Sequence, residues 1–129
     1  MTLLHHHSLI NPVGGYSAEV TAVLARFTGG NSLTAAEILK VVAFVDGLVS
    51  ESIWSLVDEF WWFRNIGSEA KSLIGFKSLT ATKVSTPTWS AAGWTGCSTT
   101  KYLNSNYICS TFGGNLTLNS AMLGAWITT

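Results

Sequence analysis

Apolar residues recur at helical spacing along the first half of the chain and in short alternating runs along the second. Ser17 is placed to cap a first helix, with Glu19 near the positive end of its dipole. Val20, Val23, Leu24 and Phe27 form its apolar stripe, and Thr28-Gly29-Gly30-Asn31 ends it. A stronger start follows at Thr34-Ala35-Ala36-Glu37, where Thr and Glu side chains can satisfy first-turn backbone donors reciprocally. Ile38, Val42, Val45 and Val49 continue at helical spacing, and Val41, Phe44 and Leu48 widen the face, so this helix is buried on more than one side. Gly47 and Ser50-Glu51-Ser52 predict a break, followed by a third helix over 52–64. Its Ile53, Leu56, Val57, Phe60 and Phe63 share a stripe, with Trp54, Trp61 and Trp62 partly off it. The run Phe60-Trp61-Trp62-Phe63 cannot face one core, so at least one ring should meet the other half of the chain or another chain. Asn65-Ile66-Gly67 stops this helix, and 68–74 offers a further turn or two.

After Gly75 the pattern changes to Thr-, Val-, Trp- and Tyr-rich segments separated by Gly, Ser or Asn. Residues 80–84, 86–90, 101–107 and 122–128 read as antiparallel strands, with Pro87 at a strand start or edge. So few short strands leave unpaired edges. At the other end, Pro12 and Gly14-Gly15 discourage regular structure, while Leu9, Ile10, Val13 and Tyr16 offer apolar anchors. The expected organisation is α+β: an extended docking arm over 1–16, a small helical bundle over 17–75, and an antiparallel β region over 76–129 that is incomplete on its own.

Composition sharpens this picture. Of 129 residues, 47% are hydrophobic and only 11% charged, well below an ordinary soluble domain, which implies that much of the surface is covered by something other than water. The net charge is zero, yet every acidic side chain precedes residue 70, while Lys71, Lys77, Lys83 and Lys101 follow it without a carboxylate. The halves therefore attract each other, or copies of each other. No basic cluster exists to neutralise phosphates, which argues against nucleic acid and against a helix-turn-helix regulator. No signal peptide or transmembrane helix is expected, since 38–63 is interrupted by Lys40, Asp46, Glu51, Asp58 and Glu59. Cys97 and Cys109 are read as thiols, with a single bridge between them as the other reading.

The same residues weigh against catalysis. The β half has no Asp or Glu side chain, hence neither a glycosidase carboxylate pair nor acidic calcium ligands. His5-His6-His7 lie in the arm, far in sequence from either cysteine, and adjacent histidines do not converge on one metal. Gly29-Gly30 and Gly113-Gly114 are isolated turn pairs, not a phosphate loop. No catalytic residue, metal or cofactor is expected. Trp89, Trp94, Tyr102, Tyr107 and Phe112 could stack on sugar rings, with Asn104, Asn106 and Asn115 as hydrogen-bonding groups. Such rings are also what a small sheet needs for its core or an interface, and that use is the favoured one.

Several ordered motifs carry a resemblance: Val84-Ser85-Thr86-Pro87-Thr88-Trp89, Gly93-Trp94-Thr95-Gly96, Tyr102-Leu103-Asn104 and Asn119-Ser120-Ala121-Met122-Leu123-Gly124-Ala125-Trp126. Upstream, Ser17-Ala18-Glu19 and Ile53-Trp54-Ser55-Leu56-Val57-Asp58 match its helical region. Together they resemble a segment of tailed-bacteriophage structural proteins, in which a helical region precedes a concanavalin- or laminin-G-like jelly roll. The likeness spans most of 16–127; Cys97 and Asn104 depart from it, and family members continue for many strands beyond the point matching Thr129. Either neighbours complete a short sheet, or the chain is part of a longer protein. The resemblance implies a non-enzymatic virion component of tail, fibre or capsid-associated type, located in the virion after assembly in the host cytoplasm. Its partners would be other virion proteins and copies of itself, with neither nucleic acid nor membrane. Tyr16, Trp61, Trp62, Trp94, Trp126 and Ile127 are the expected assembly contacts. The alternative is a receptor- or glycan-binding module at a fibre tip, stacking sugars on Trp89, Trp94, Tyr102 and Tyr107.

Overall fold

The computed structural model describes residues 15–64, 66–96 and 99–115. Residues 1–14 of the expected arm over 1–16, Cys97, and the segment over 122–128 expected as a last strand, with Trp126 and Ile127, lie outside these residues. Within them the chain is α+β, as expected. Helix α1 (Ala18–Leu24) is capped by the Ser17 hydroxyl, which accepts from the Val20 N–H and donates to Asp46 Oδ1 at 3.1 Å. One serine thus starts α1 and ties it to α2 (Ala35–Ser50). The predicted capping box opens α2: Glu37 N–H donates to Thr34 Oγ1 at 3.3 Å, and Thr34 N–H returns a bond to Glu37 Oε2 at 2.7 Å. Helix α2 ends where the Ser-rich stretch placed its break, and Ser52 takes a left-handed φ of 59°.

The expected third helix over 52–64 does not form. A 3₁₀ turn, Trp54–Leu56, is followed by extended chain. The physical reason lies in the aromatic run. In extended chain, alternate side chains point to opposite faces, so Phe60 and Trp62 pack against the core while Trp61 and Phe63 stack together, centroids 6.4 Å apart and nearly parallel. A helix would have spread these rings around its circumference. The extended conformation is held by Phe76 N–H donating to Phe60 O at 2.9 Å and by a bridge between Trp61 and Gly75.

Ser68 caps the short helix α3 (Glu69–Ser72), the predicted extra turn. Strands β1 (Thr82–Val84), β2 (Thr88–Ser90), β3 (Gly93–Thr95) and β4 (Tyr102–Asn104) follow. Three of them fall inside predicted segments, and all pair antiparallel. They do not form one sheet, however, and no jelly roll is seen among the described residues. β2 and β3 make a hairpin, whereas β1 pairs with β4 across it. A one-turn helix, α4 (Cys109–Phe112), follows β4 and was not legible in the sequence.

The core lies where α1, α2, the extended segment and the loop after α3 meet: Val20, Val23, Phe27, Val41, Val45, Trp54, Ile66, Ile74 and Phe76. Phe76 sits at its centre, 1% exposed, with Phe27, Phe44, Phe60 and Trp62 around it at centroid distances of 6.0, 6.1, 5.3 and 6.1 Å. Phe76→Ala should therefore lower unfolding stability in denaturant by about 3–5 kcal/mol; a loss below about 1 kcal/mol would show that the ring is not the packing centre.

Candidate functional site

Three carboxylates of the helical half decide how the rest of the chain is placed. Glu59 receives the backbone N–H groups of the loop that carries Phe76: Lys77 to Oε1, Ser78 and Leu79 to Oε2, each at 2.7 Å. Arg26 holds the carbonyls of the same loop, Nε donating to Gly75 O at 3.0 Å and Nη2 to Leu79 O at 2.7 Å. A Cβ on Gly75 would fall 2.7 Å from both Glu59 Oε1 and Leu79 O, so only glycine fits.

Glu37 is buried and pairs with Lys71 Nζ at 2.9 Å, joining α2 to α3. Burial pushes its pKa up, but the Thr34 backbone N–H, the Lys71 ammonium and the Thr34 hydroxyl outweigh this and hold it below 4.5. Its second oxygen has no hydrogen-bond partner and lies against Gly67, where a Cβ would approach to 2.0 Å. Gly67 also needs its φ of 81°, so the position is glycine on two counts.

Asp58 holds the end of the described chain. Asn115 N–H donates to both its oxygens at 2.9 and 3.1 Å, and Tyr107 OH donates to Oδ2 at 3.1 Å. Partial burial raises the Tyr107 phenol pKa above 10.0, and this bond to the carboxylate adds to the shift. The sequence showed Glu37 in its capping box but not its pairing with Lys71, nor the contacts of Glu59 and Asp58. The available signal was Asp58-Glu59 directly before a run of aromatic, strand-favouring residues.

The tryptophans form the second feature. Trp89 and Trp94 are direct cross-strand partners in the β2–β3 hairpin. Trp89 Nε1 donates to Phe63 O at 3.2 Å, and Trp94 Nε1 donates to Ser72 Oγ at 3.1 Å, so both indoles fasten the hairpin to the body. Ser72 is fully buried, and its hydroxyl donates a hydrogen bond to Glu69 O at 2.7 Å. Lys83 pairs with Glu69, and its ammonium lies 6.0 Å from the Trp94 ring.

Among the expected assembly residues, Tyr16 is exposed, Trp61 is half-buried with its N–H lacking a partner, Trp62 packs on Phe44 and Phe76, and Trp94 is half-buried. Of the sugar-stacking set, only Trp89 and Trp94 share a hairpin; Tyr102 lies on β4 and Tyr107 beyond it, bound to Asp58. The asparagine groups are engaged internally: Asn106 Nδ2 donates to Thr80 O, Asn115 Nδ2 to Ser55 O, and Asn104 Oδ1 accepts from Asn106 N–H. Cys109 is exposed.

An open cleft of about 310 Å³ runs between α1 and the 3₁₀ turn, lined by Ala18, Glu19, Ala22, Trp54, Phe76 and Lys77. The Lys77 ammonium sits 4.2 Å over the Trp54 ring and donates to Trp54 O at 3.1 Å. Burial pushes its pKa down from 10.5, opposed by Glu59, Asp58 and Glu19. Among the described residues no group of three or more His, Cys, Asp or Glu is placed to hold a metal ion, and no helix is long and apolar enough to cross a membrane.

The chain matches no family model, no curated protein and no solved structure. What the arrangement offers is contact. Arg26, Glu59, Asn106 and Asn115 bond the chain's own backbone, while each strand has a single neighbour among the described residues and large apolar side chains such as Leu56 and Ile108 stand 65% and 57% exposed.

Glu59→Gln replaces half of the loop's acceptor with a donor and should cost about 2 kcal/mol or more, with faster amide hydrogen exchange at residues 77–79; unchanged exchange there would remove Glu59 from its role. Because the folded Glu37 carboxyl is depressed, its stabilisation is full above 4.5 and is lost as pH falls through the lower folded value. The stability difference between the natural chain and Glu37→Gln should therefore shrink steadily on acidification, and a difference independent of pH would contradict the pairing.

Proposed function

We propose that this chain is a non-enzymatic structural component of a tailed-phage virion, in a tail, fibre or capsid-associated position, working by assembly with copies of itself and with other virion proteins. The observation that carries the assembly reading is the outward-facing inventory: strands that each have one neighbour among the described residues, and exposed large apolar side chains, on a chain with few charges. The phage part rests on the sequence resemblance. Three of its motifs fall on or between the strands, with Val84 to Trp89 leading from β1 into β2, Gly93-Trp94-Thr95-Gly96 covering β3, and Tyr102-Leu103-Asn104 forming β4. Strand edges left open in this way add to neighbouring chains by main-chain pairing, and half-buried aromatics such as Trp61 anchor such contacts.

A second reading, a glycan-binding tip module, is favoured by one observation: the Tyr102 ring is 44% exposed on β4. Light scattering over a concentration series should show mass rising above that of the monomer, and a monodisperse monomer at every concentration would defeat the assembly reading. A glycan array separates the second reading. Saccharide binding that disappears in Tyr102→Ala would put recognition ahead of assembly.

A further inference from the structure

We propose that residues 99–115 form an exchangeable strap, and that the surface receiving it, strand β1 together with the Asp58 carboxylate, accepts the same segment of a second copy of this chain. This deepens the assembly reading above and rests on it.

The strap lies on the body without entering its core. From Thr88 to Asn115 no described residue is buried, and every member of the core cluster precedes β1. Its attachments are directional and polar. β4 pairs with β1 in the register Thr82↔Asn104, Lys83↔Leu103 and Val84↔Tyr102. Asn106 Nδ2 donates to Thr80 O at 2.8 Å, Tyr107 OH reaches Asp58, and Asn115 reaches Asp58 and Ser55. Lifting such a segment uncovers little apolar surface, and water replaces most of what its hydrogen bonds contribute.

The vacated surface is nevertheless specific. A β1 edge in fixed register and a carboxylate matched to one phenol and one asparagine select this segment over a generic strand. The partner that carries that chemistry is another copy, so exchange between copies recreates every bond without a new interface having to be built. Tyr102, Ile108 and Phe112, exposed on the strap in the single chain, supply the apolar surface that two exchanged copies can cover between them.

The test uses register partners at β1 and β4. Chains carrying Lys83→Cys and chains carrying Leu103→Cys, each with Cys97→Ser and Cys109→Ser, are mixed at high concentration and treated with a short thiol-to-thiol cross-linker. The expected product is a covalent dimer containing one chain of each kind, with neither chain cross-linking alone. Adding Tyr107→Phe to both chains removes one bond to a carboxylate and should accelerate mixed-dimer formation about tenfold. A chain carrying both cysteines, cross-linked internally when dilute, verifies that the register forms and that the variants fold. Internal cross-linking with no mixed dimer, with or without Tyr107→Phe, overturns the proposal, as does a doubly substituted folded chain that never cross-links. Oligomers in light scattering without mixed dimers would defeat exchange and leave assembly through other surfaces standing; monomers throughout would defeat both.

Discussion

A carboxylate that collects three consecutive backbone N–H groups fixes the centre of this structure. Glu59 takes the donors of residues 77–79, and Arg26 takes the carbonyls on the other side of the same loop. Loop backbone brought this near a core has to find partners for its polar groups or stay in water. The two charges supply them, and Phe76 can then sit fully inside among four aromatic neighbours. The turn after α1 contributes the arginine, the extended segment the glutamate, and Gly75 the space for that glutamate. Removing any one of these leaves the aromatic centre without a rigid base, so the polar clamp and the apolar core are one unit.

Much of the helical half was legible because its signals are local. Ser17, Thr34 with Glu37, and Ser68 each cap the helix that follows within three residues, and the break after α2 sits on its Ser-rich stretch. The segment over 52–64 was misread because its strongest partners are distant in sequence. Glu59 bonds residues 18 to 20 positions away, and Asp58 bonds residues 49 and 57 positions away. Helical spacing of Ile53, Leu56, Val57, Phe60 and Phe63 satisfied one periodicity, but alternation in the aromatic run satisfied another, and tertiary bonds decided between them. In the β half three of the four described strands were visible, whereas β3 and the pairing of β1 with β4 across a hairpin were not, since short alternating segments do not encode their neighbours. The tryptophans were singled out for assembly or sugar stacking, and the N–H acceptors of Trp89 and Trp94, Phe63 O and Ser72 Oγ, belong to segments that no local pattern connects to them.

The lopsided charge distribution gains a concrete meaning. Lys71 meets Glu37 and Lys83 meets Glu69, while Lys77 lies over Trp54 with Asp58, Glu59 and Glu19 nearby. Lys71, Lys77 and Lys83 of the later segment thus lie near acidic residues of the earlier one, so in a chain with only 11% charged residues several charges join segments. The exposed pair of Lys83 and Glu69 contributes little by itself, whereas the buried pair of Glu37 and Lys71 would be costly to break from one side.

The buried Ser72 hydroxyl accepts from a hairpin tryptophan and donates to a carbonyl of its own helix. In mechanical terms it is a coupling pin. A load on the β2–β3 hairpin reaches α3 through this side chain, and from α3 it passes through Lys71 to Glu37 and into α2. The hairpin is therefore geared to the longest described helix through two adjacent residues of one short turn, alongside its second attachment through Trp89 to the aromatic run at Phe63.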